Sequence, residues 1–187
     1  MKRVSLDGRR LAILDWPDVS KLCLKLWLKA SGRFNPDLVV AVLKGGFPVG
    51  LWLASLYGKP LAFLQIKHYR WWHRRSKPVL LRGLSFQVEG LRVLLVDDVV
   101  DSGETLKLAF SHLKLRKVKA LKAAVLHVKP WRRFQPDYYV EETADWIVYP
   151  WEKQELLLEL LREGKASGKF LEKLGLEISR SASPRLV

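Results

Sequence analysis

The chain has 187 residues, enough for one well-buried core, and 49% of them are apolar. Lysine and arginine number 33 against 19 acidic residues, a formal charge of +14, which favours anionic partners, whether nucleic acid or a phosphorylated small molecule. No segment approaches the length of a membrane span, no apolar run follows the basic start MKRVSLDGRR, and the single cysteine, Cys23, excludes an internal disulfide, so a soluble, cytoplasmic protein with no membrane partner is expected.

Asp15 before Pro17 reads as an N-cap and first helical turn. Val19, Leu22, Cys23, Leu26, Trp27 and Ala30 follow at helical spacing, which predicts an amphipathic helix over 16–31, ended by Gly32 and Pro36. A strand over 38–43, a helix over 47–57 closed by Gly58 and Pro60, and a strand over 61–66 come next. A polar, aromatic loop is then expected as far as Pro78. Strand 91–97, helix 104–114 and strand 119–127 complete an alternation that implies crossover units and a parallel sheet. Beyond 128 the pattern weakens to short strands near 138–141 and 146–149. A last helix is expected over 152–163, with the closing SRSASPRLV frayed. Cys23 falls in the apolar stripe of the first helix and reads as a small buried hydrophobe.

Residues 93–105, VLLVDDVVDSGET, carry most of the functional information. Val93, Leu94, Leu95 and Val96 supply apolar side chains to both faces of a buried parallel strand. Asp97 and Asp98 then fall where such a strand leaves the sheet, the edge at which open α/β sheets bind ligands. The turn Asp101-Ser102-Gly103-Glu104-Thr105 leads into a helix, and such a turn aims several backbone N–H groups at one point, as a phosphate requires. Acids beside a phosphate nest suit a ligand that also carries sugar hydroxyls and a magnesium-bound pyrophosphate. A second segment, LVVAVLKGG at 38–46, is another apolar strand, followed by Lys44, Gly45 and Gly46. The glycines permit close backbone approach, and the lysine is a point charge suited to pyrophosphate.

At these residues the chain resembles the type I phosphoribosyltransferases, which displace pyrophosphate from phosphoribosyl pyrophosphate (PRPP). The resemblance implies an α/β fold: a central, mostly parallel sheet flanked by helices, with a small hood over the active site, in one domain over 1–187. It implies that Asp97 and Asp98 hold the ribose hydroxyls and that Asp101 lies near the purine as candidate proton acceptor. Ser102, Gly103, Glu104 and Thr105 would cradle the 5′-phosphate, Glu104 through its amide. Lys44-Gly45-Gly46 matches the pyrophosphate loop, which implies a cis peptide between Leu43 and Lys44.

LHVKPW (126–131), DWIVYPWE (145–152) and IKHYR (66–70) resemble parts of microbial and archaeal xanthine–guanine enzymes. That places the hood mainly at 129–152, a lid at 68–78 and a C-terminal helix and tail from 152. Lys129 would donate to the 6-oxo group of the base, Trp146 would stack on it, and Ile147 would bring backbone groups to its far edge. Read without the motif, Trp146 serves as a core aromatic and Lys129 as an exposed loop cation. Tyr69 and Arg70 are the implied lid contacts. The implied activity is phosphoribosyl transfer from PRPP to a 6-oxopurine, xanthine or guanine first and hypoxanthine next, in purine salvage. Magnesium, carried mainly by the substrate, is the implied cofactor, and a homodimer the implied assembly. The net charge and the paired tryptophans Trp71 and Trp72 support a second reading, a PRPP-sensing regulator that binds nucleic acid.

Overall fold

In a computed structural model, residues 1–6, 8–71, 74–84 and 87–164 are described, those at 68–71 and 74–76 by their backbone alone. The tail expected to fray lies outside the described residues. The chain divides into two compact units, Met1–Asp18 with Asp145–Val187 and Val19–Ala144. In chain order the elements are β1 (Lys2–Leu6), β2 (Arg9–Ile13), α1 (Trp16–Ser31), β3 (Leu38–Leu43), α2 (Gly46–Tyr57), β4 (Leu61–Trp71) and β5 (Arg74–Arg82). They continue with β6 (Arg92–Val100), α3 (Glu104–Leu115), β7 (Ala120–Val128), β8 (Tyr138–Glu142), β9 (Trp146–Val148) and α4 (Lys153–Arg162).

The larger unit is built on a six-stranded sheet in the order β5-β4-β3-β6-β7-β8. Every neighbouring pair is parallel except β4 and β5. The chain from Leu38 to Val42 shows why β3 lies in the middle: none of its five residues is more than 2% exposed, as expected of a strand covered on both faces. From β3 the chain winds through α2 to β4 on one side, and from β6 through α3 to β7 on the other. The strand order therefore reverses between β3 and β6, and the carboxyl ends of these two strands flank the crevice where open α/β sheets take their ligands. One face of the sheet buries Val40, Val42, Leu64, Val93 and Leu95 against Leu106, Ala109 and Leu113 of α3.

Two details depart from the expectation for this sheet. The polar loop anticipated up to Pro78 is a β-hairpin: β4 runs on to Trp71 and pairs with β5, with register shifts at Gln65/Ile66 and His68/Arg70. Its alternation is carried by Arg, Lys and aromatic residues, so it lacks the apolar rhythm that marks a strand. Strand β6 also does not stop at Asp97. It continues to Val100 because β7 keeps pairing with it, Val99 opposite His127 and Val100 opposite Val128. The acids thus lie within a strand, beyond the point where β3 leaves its side: the last β3–β6 pair is Ala41 with Val96.

The smaller unit has a sheet of its own, β1-β2-β9. β1 and β2 form an antiparallel hairpin that the composition-led reading did not anticipate, and β9 joins β2 in parallel, Leu11 opposite Trp146. The signal was Asp7-Gly8 between two short runs, a common hairpin turn sequence. Leu11, Ile13, Val148 and Leu160 make its core. Tyr149, only 1% exposed, stacks on Trp151 with ring centroids 4.8 Å apart. Buried Asp145 accepts charge-assisted contacts from Arg3 and Arg10 at 3.1 and 3.0 Å, the pairing that a buried carboxylate requires.

Candidate active site

In the larger unit, the carboxyl ends of β3 and β6 bring two segments more than 50 residues apart in sequence into van der Waals contact. Gly45 and Gly46 lie directly against Asp97 and Asp98. A β-carbon on Gly45 would overlap the Oδ2 atom of Asp98, and one on Gly46 would stand 2.6 Å from the Val96 carbonyl oxygen and 2.9 Å from the Asp97 α-carbon. At Gly46 the neighbours are backbone and only hydrogen fits; at Gly45 a methyl group would require the Asp98 carboxylate or the loop to shift. Lys44 precedes them, exposed, and the Leu43–Lys44 peptide bond is cis, as the resemblance implies.

Asp97 and Asp98 are 8% and 7% exposed, unusual for carboxylates inside a strand. Their local partners are backbone amides: Asp98 N–H donates to Asp97 Oδ1 at 3.0 Å, and Val99 N–H to Asp98 Oδ1 at 2.7 Å. Two buried acids side by side serve no packing purpose, and burial of charge is unfavourable unless something is gained from it. A sugar's vicinal hydroxyls are donors that such a pair of acceptors can bind.

After Val100 the chain turns through Asp101, Ser102 and Gly103 into α3. Gly103 has φ of +89° and is the N-cap, with no side chain capping the helix. A β-carbon there would overlap the β-carbon of Phe134 and lie 2.9 Å from the Phe134 nitrogen, so glycine is required both by backbone conformation and by space. The N-terminal end of the α3 dipole faces this loop, as in phosphate sites generally. The loop at 101–103 is backed by the turn at 129–134: Lys129 N–H donates to the Val100 carbonyl and Arg133 N–H to the Ser102 carbonyl, both at 2.9 Å. Phe134 is itself braced edge-on by Phe110 of α3.

This turn brings Trp131 to the acid at 101 and carries Lys129 beside it. Lys129 is 7% exposed, so it is not the exposed loop cation that the residues alone allowed. Trp131 donates from its indole Nε1 to Asp101 Oδ1 at 2.7 Å, a contact sequence reasoning missed. The signal available was thin: an aromatic two residues after the candidate base-reading lysine. Arg132 is engaged elsewhere, donating to Glu142 at 2.6 Å and to the Lys129 carbonyl at 3.0 Å.

Ser102, Glu104 and Thr105 are in the loop and first turn of α3, with Glu104 exposed and its N–H 3.4 Å from Ser102 Oγ. Trp146 and Ile147 belong to the smaller unit, on β9, with Trp146 half exposed at 53% and Ile147 buried. Tyr69 and Arg70 lie on β4, and their side chains are outside the described residues.

His127, buried in β7 opposite Val99, has its pKa pushed down to about 4, first by burial and then by the Lys129 charge. At neutral pH it is an uncharged core side chain. Because the folded value lies below the ordinary 6.5, its stabilising contribution is complete above pH 6.5 and is lost as the pH falls from 6.5 towards 4. The slope approaches about 1.4 kcal/mol per pH unit for one proton. Urea denaturation at pH 7 and pH 5 should show a larger loss of stability for the parent than for His127→Gln. Equal losses would contradict the assignment.

A parallel sheet that carries paired acids and a glycine turn into a helix at its switch point defines a class, the α/β proteins that take their ligands at the carboxyl edge of the sheet. The comparisons narrow it: the chain matches the family model described as phosphoribosyl transferase domain over residues 10–155. The chain belongs to the phosphoribosyltransferase family, enzymes of pentosyl transfer. It is 34% identical over 153 residues to the hypoxanthine-guanine phosphoribosyltransferase of Aquifex aeolicus, covering 75% of this chain and 84% of that protein. The crystal structure of the purine phosphoribosyltransferase from Pyrococcus horikoshii is similar, with TM-score 0.69 and 34% identity over 75% of this chain and 93% of that one. The xanthine-guanine-hypoxanthine phosphoribosyltransferase of Helicobacter pylori shares the fold at TM-score 0.70 and 20% identity, covering 82% of this chain and 99% of that one.

Proposed function

We propose that this phosphoribosyltransferase moves the 5-phosphoribosyl group of PRPP onto a ring nitrogen of a 6-oxopurine, xanthine or guanine first and hypoxanthine next, and releases pyrophosphate. The reaction returns free bases to nucleotides, a salvage role. The observation that carries the reading is a buried ammonium, Lys129, held on the same turn that touches Asp101. An ammonium donates and never accepts, so it suits a 6-oxo oxygen and gives nothing to the 6-amino group of adenine.

In this account the 5′-phosphate lies in the 101–105 loop, the ribose hydroxyls on Asp97 and Asp98, and the pyrophosphate over Gly45 and Gly46 beside Lys44. As the C1–O bond breaks, positive charge grows on the ribose, as in glycosyl transfer, and the two acids beside it stabilise that charge. Lys44 and the loop amides bind the departing pyrophosphate. Asp101 accepts the proton from the attacking purine, or orients its ring. Trp146 offers an exposed indole face suited to stacking on the base, and Ile147 its backbone groups. Holding two substrates in register can supply up to about 7–11 kcal/mol of the acceleration.

The carboxylates fit magnesium as hard oxygen donors, and among the described residues no group of three or more His, Cys, Asp or Glu is placed to hold a metal alone. The ion would therefore be carried mainly by the oxygens of PRPP, with Asp97 and Asp98 nearest in chemistry. When bound, it neutralises charge on the pyrophosphate.

A homodimer in the cytoplasm completes the proposal. Exposed Phe47, Leu51 and Trp52 on α2 and Phe63 on β4 offer apolar surface for a contact between copies, and buried Cys23 is a free thiol of the kind kept reduced there. Among the described residues no helix is long and apolar enough to cross a membrane. Lys129→Ala tests the base assignment. It should lower kcat/KM for the 6-oxopurine about 10- to 100-fold, the range of one hydrogen bond from a charged donor, and leave KM for PRPP near the parent value. Equal damage to PRPP binding, or none to base use, would remove Lys129 from the base site.

A further inference from the structure

Trp131 is an odd residue for its surroundings. Its side chain is 55% exposed, so core packing does not account for it, yet its indole N–H is committed to Asp101 Oδ1 at 2.7 Å. The backbone around it is fixed on both sides. Lys129 N–H is clipped to the carbonyl of Val100 and Arg133 N–H to the carbonyl of Ser102, each at 2.9 Å, and Arg132 N–H closes the turn onto the Lys129 carbonyl at 3.2 Å. The turn 129–133 thus grips the strand end at the residues just before and just after Asp101. Trp131, between the two clips, grips Asp101 itself. Pro130 stiffens the same turn by fixing φ.

The indole's edge holds Asp101, and its face meets a second charged group. Lys129 Nζ stands 5.8 Å from the Trp131 ring centroid, within cation–π range. A cation over the ring draws electron density from the indole and so strengthens its N–H as a donor. One exposed ring therefore touches both the acid and the ammonium that the functional reading assigns to the base.

We propose that Trp131 is a positioning residue for phosphoribosyl transfer: its N–H fixes one oxygen of Asp101, which sets the direction in which the other oxygen meets the purine. The indole N–H is a donor only, so the oxygen it takes must act as acceptor, and the carboxylate loses its freedom to rotate. The inference rests on the purine phosphoribosyltransferase reading above.

Trp131→Phe keeps a ring for Lys129 and removes the donor. Steady-state pyrophosphate release should show kcat lowered about 10- to 100-fold, the value of one hydrogen bond to a charged group, with KM for PRPP and the melting temperature close to the parent's. A merely structural role would raise the KM for PRPP or lower the melting point along with kcat. The decisive comparison repeats Trp131→Phe in the Asp101→Asn background. If Trp131 acts through Asp101, the second substitution costs little or nothing there. A penalty of the same size in both backgrounds, or parent-like kcat in Trp131→Phe alone, would overturn the proposal. A parent protein that releases no pyrophosphate with any purine would instead remove the functional reading, and this inference with it.

Discussion

Asp101→Asn is expected to lower kcat for phosphoribosyl transfer by about 10²-fold or more, the scale of a positioned proton acceptor. The substitution preserves shape and hydrogen-bonding length, so the loop and its phosphate nest should be undisturbed. What changes is the direction of donation. The Trp131 N–H now held by Asp101 Oδ1 would select the amide oxygen of the new side chain, because its NH₂ cannot accept. The NH₂ would then face the purine's own N–H, two donors opposed. Proton acceptance is lost and orientation is made worse in the same step. Steady-state pyrophosphate release checks this, with KM for PRPP as the internal control. A kcat within a few-fold of the parent would mean that Asp101 neither takes the proton nor orients the base.

Gly45→Ala should weaken PRPP binding while leaving the fold intact. The backbone at Gly45 has φ of −58° and ψ of −38°, an ordinary helical conformation that alanine adopts freely. No backbone strain is added. The new methyl would, however, occupy the place of Asp98 Oδ2 and come within 2.6 Å of its Cγ. Either the pyrophosphate loop or the Asp98 carboxylate must move, and overpacking of this kind costs about 1–3 kcal/mol. Spent on the binding geometry, that corresponds to roughly a 10- to 100-fold rise in KM for PRPP. Thermal melts and PRPP titration by calorimetry separate the two consequences: affinity should fall with little change in melting temperature. Parent-like affinity would show that the contact between Gly45 and Asp98 does not shape the PRPP site.

The parts of the candidate site that were legible in the sequence are those carried by one short segment, which the fold brings to the sheet's switch point. VLLVDDVVDSGET combines a strand, its acids and a glycine turn into a helix in thirteen contiguous residues, and K-G-G follows a strand whose apolar run is unbroken. Local chemistry of this kind leaves a local record. The alternation of strands and helices was equally plain, since β3, the 93–96 stretch of β6 and the 123–126 stretch of β7 are buried and read as short apolar runs.

What was missed depends on pairing partners far away in the chain. The length of β6 past Asp97 is set by β7, not by its own residues. The hairpin of β4 and β5 hides behind Arg, Lys and aromatic side chains at positions where a buried strand would show apolar ones. The hydrogen bond from Trp131 to Asp101 spans 30 positions, and the wall that Phe134 builds behind Gly103 spans 31 positions; neither has a pattern that periodicity can reveal. The glycine itself was legible, but only as a turn former. Its second constraint, the Phe134 contact, is tertiary.

The most direct test of the account is pyrophosphate release from PRPP and magnesium with xanthine, guanine, hypoxanthine and adenine supplied separately. The account predicts turnover with the 6-oxopurines and none with adenine. Turnover with adenine would contradict the Lys129 assignment while sparing the PRPP site, and binding of PRPP without turnover on any base would contradict the account at its centre.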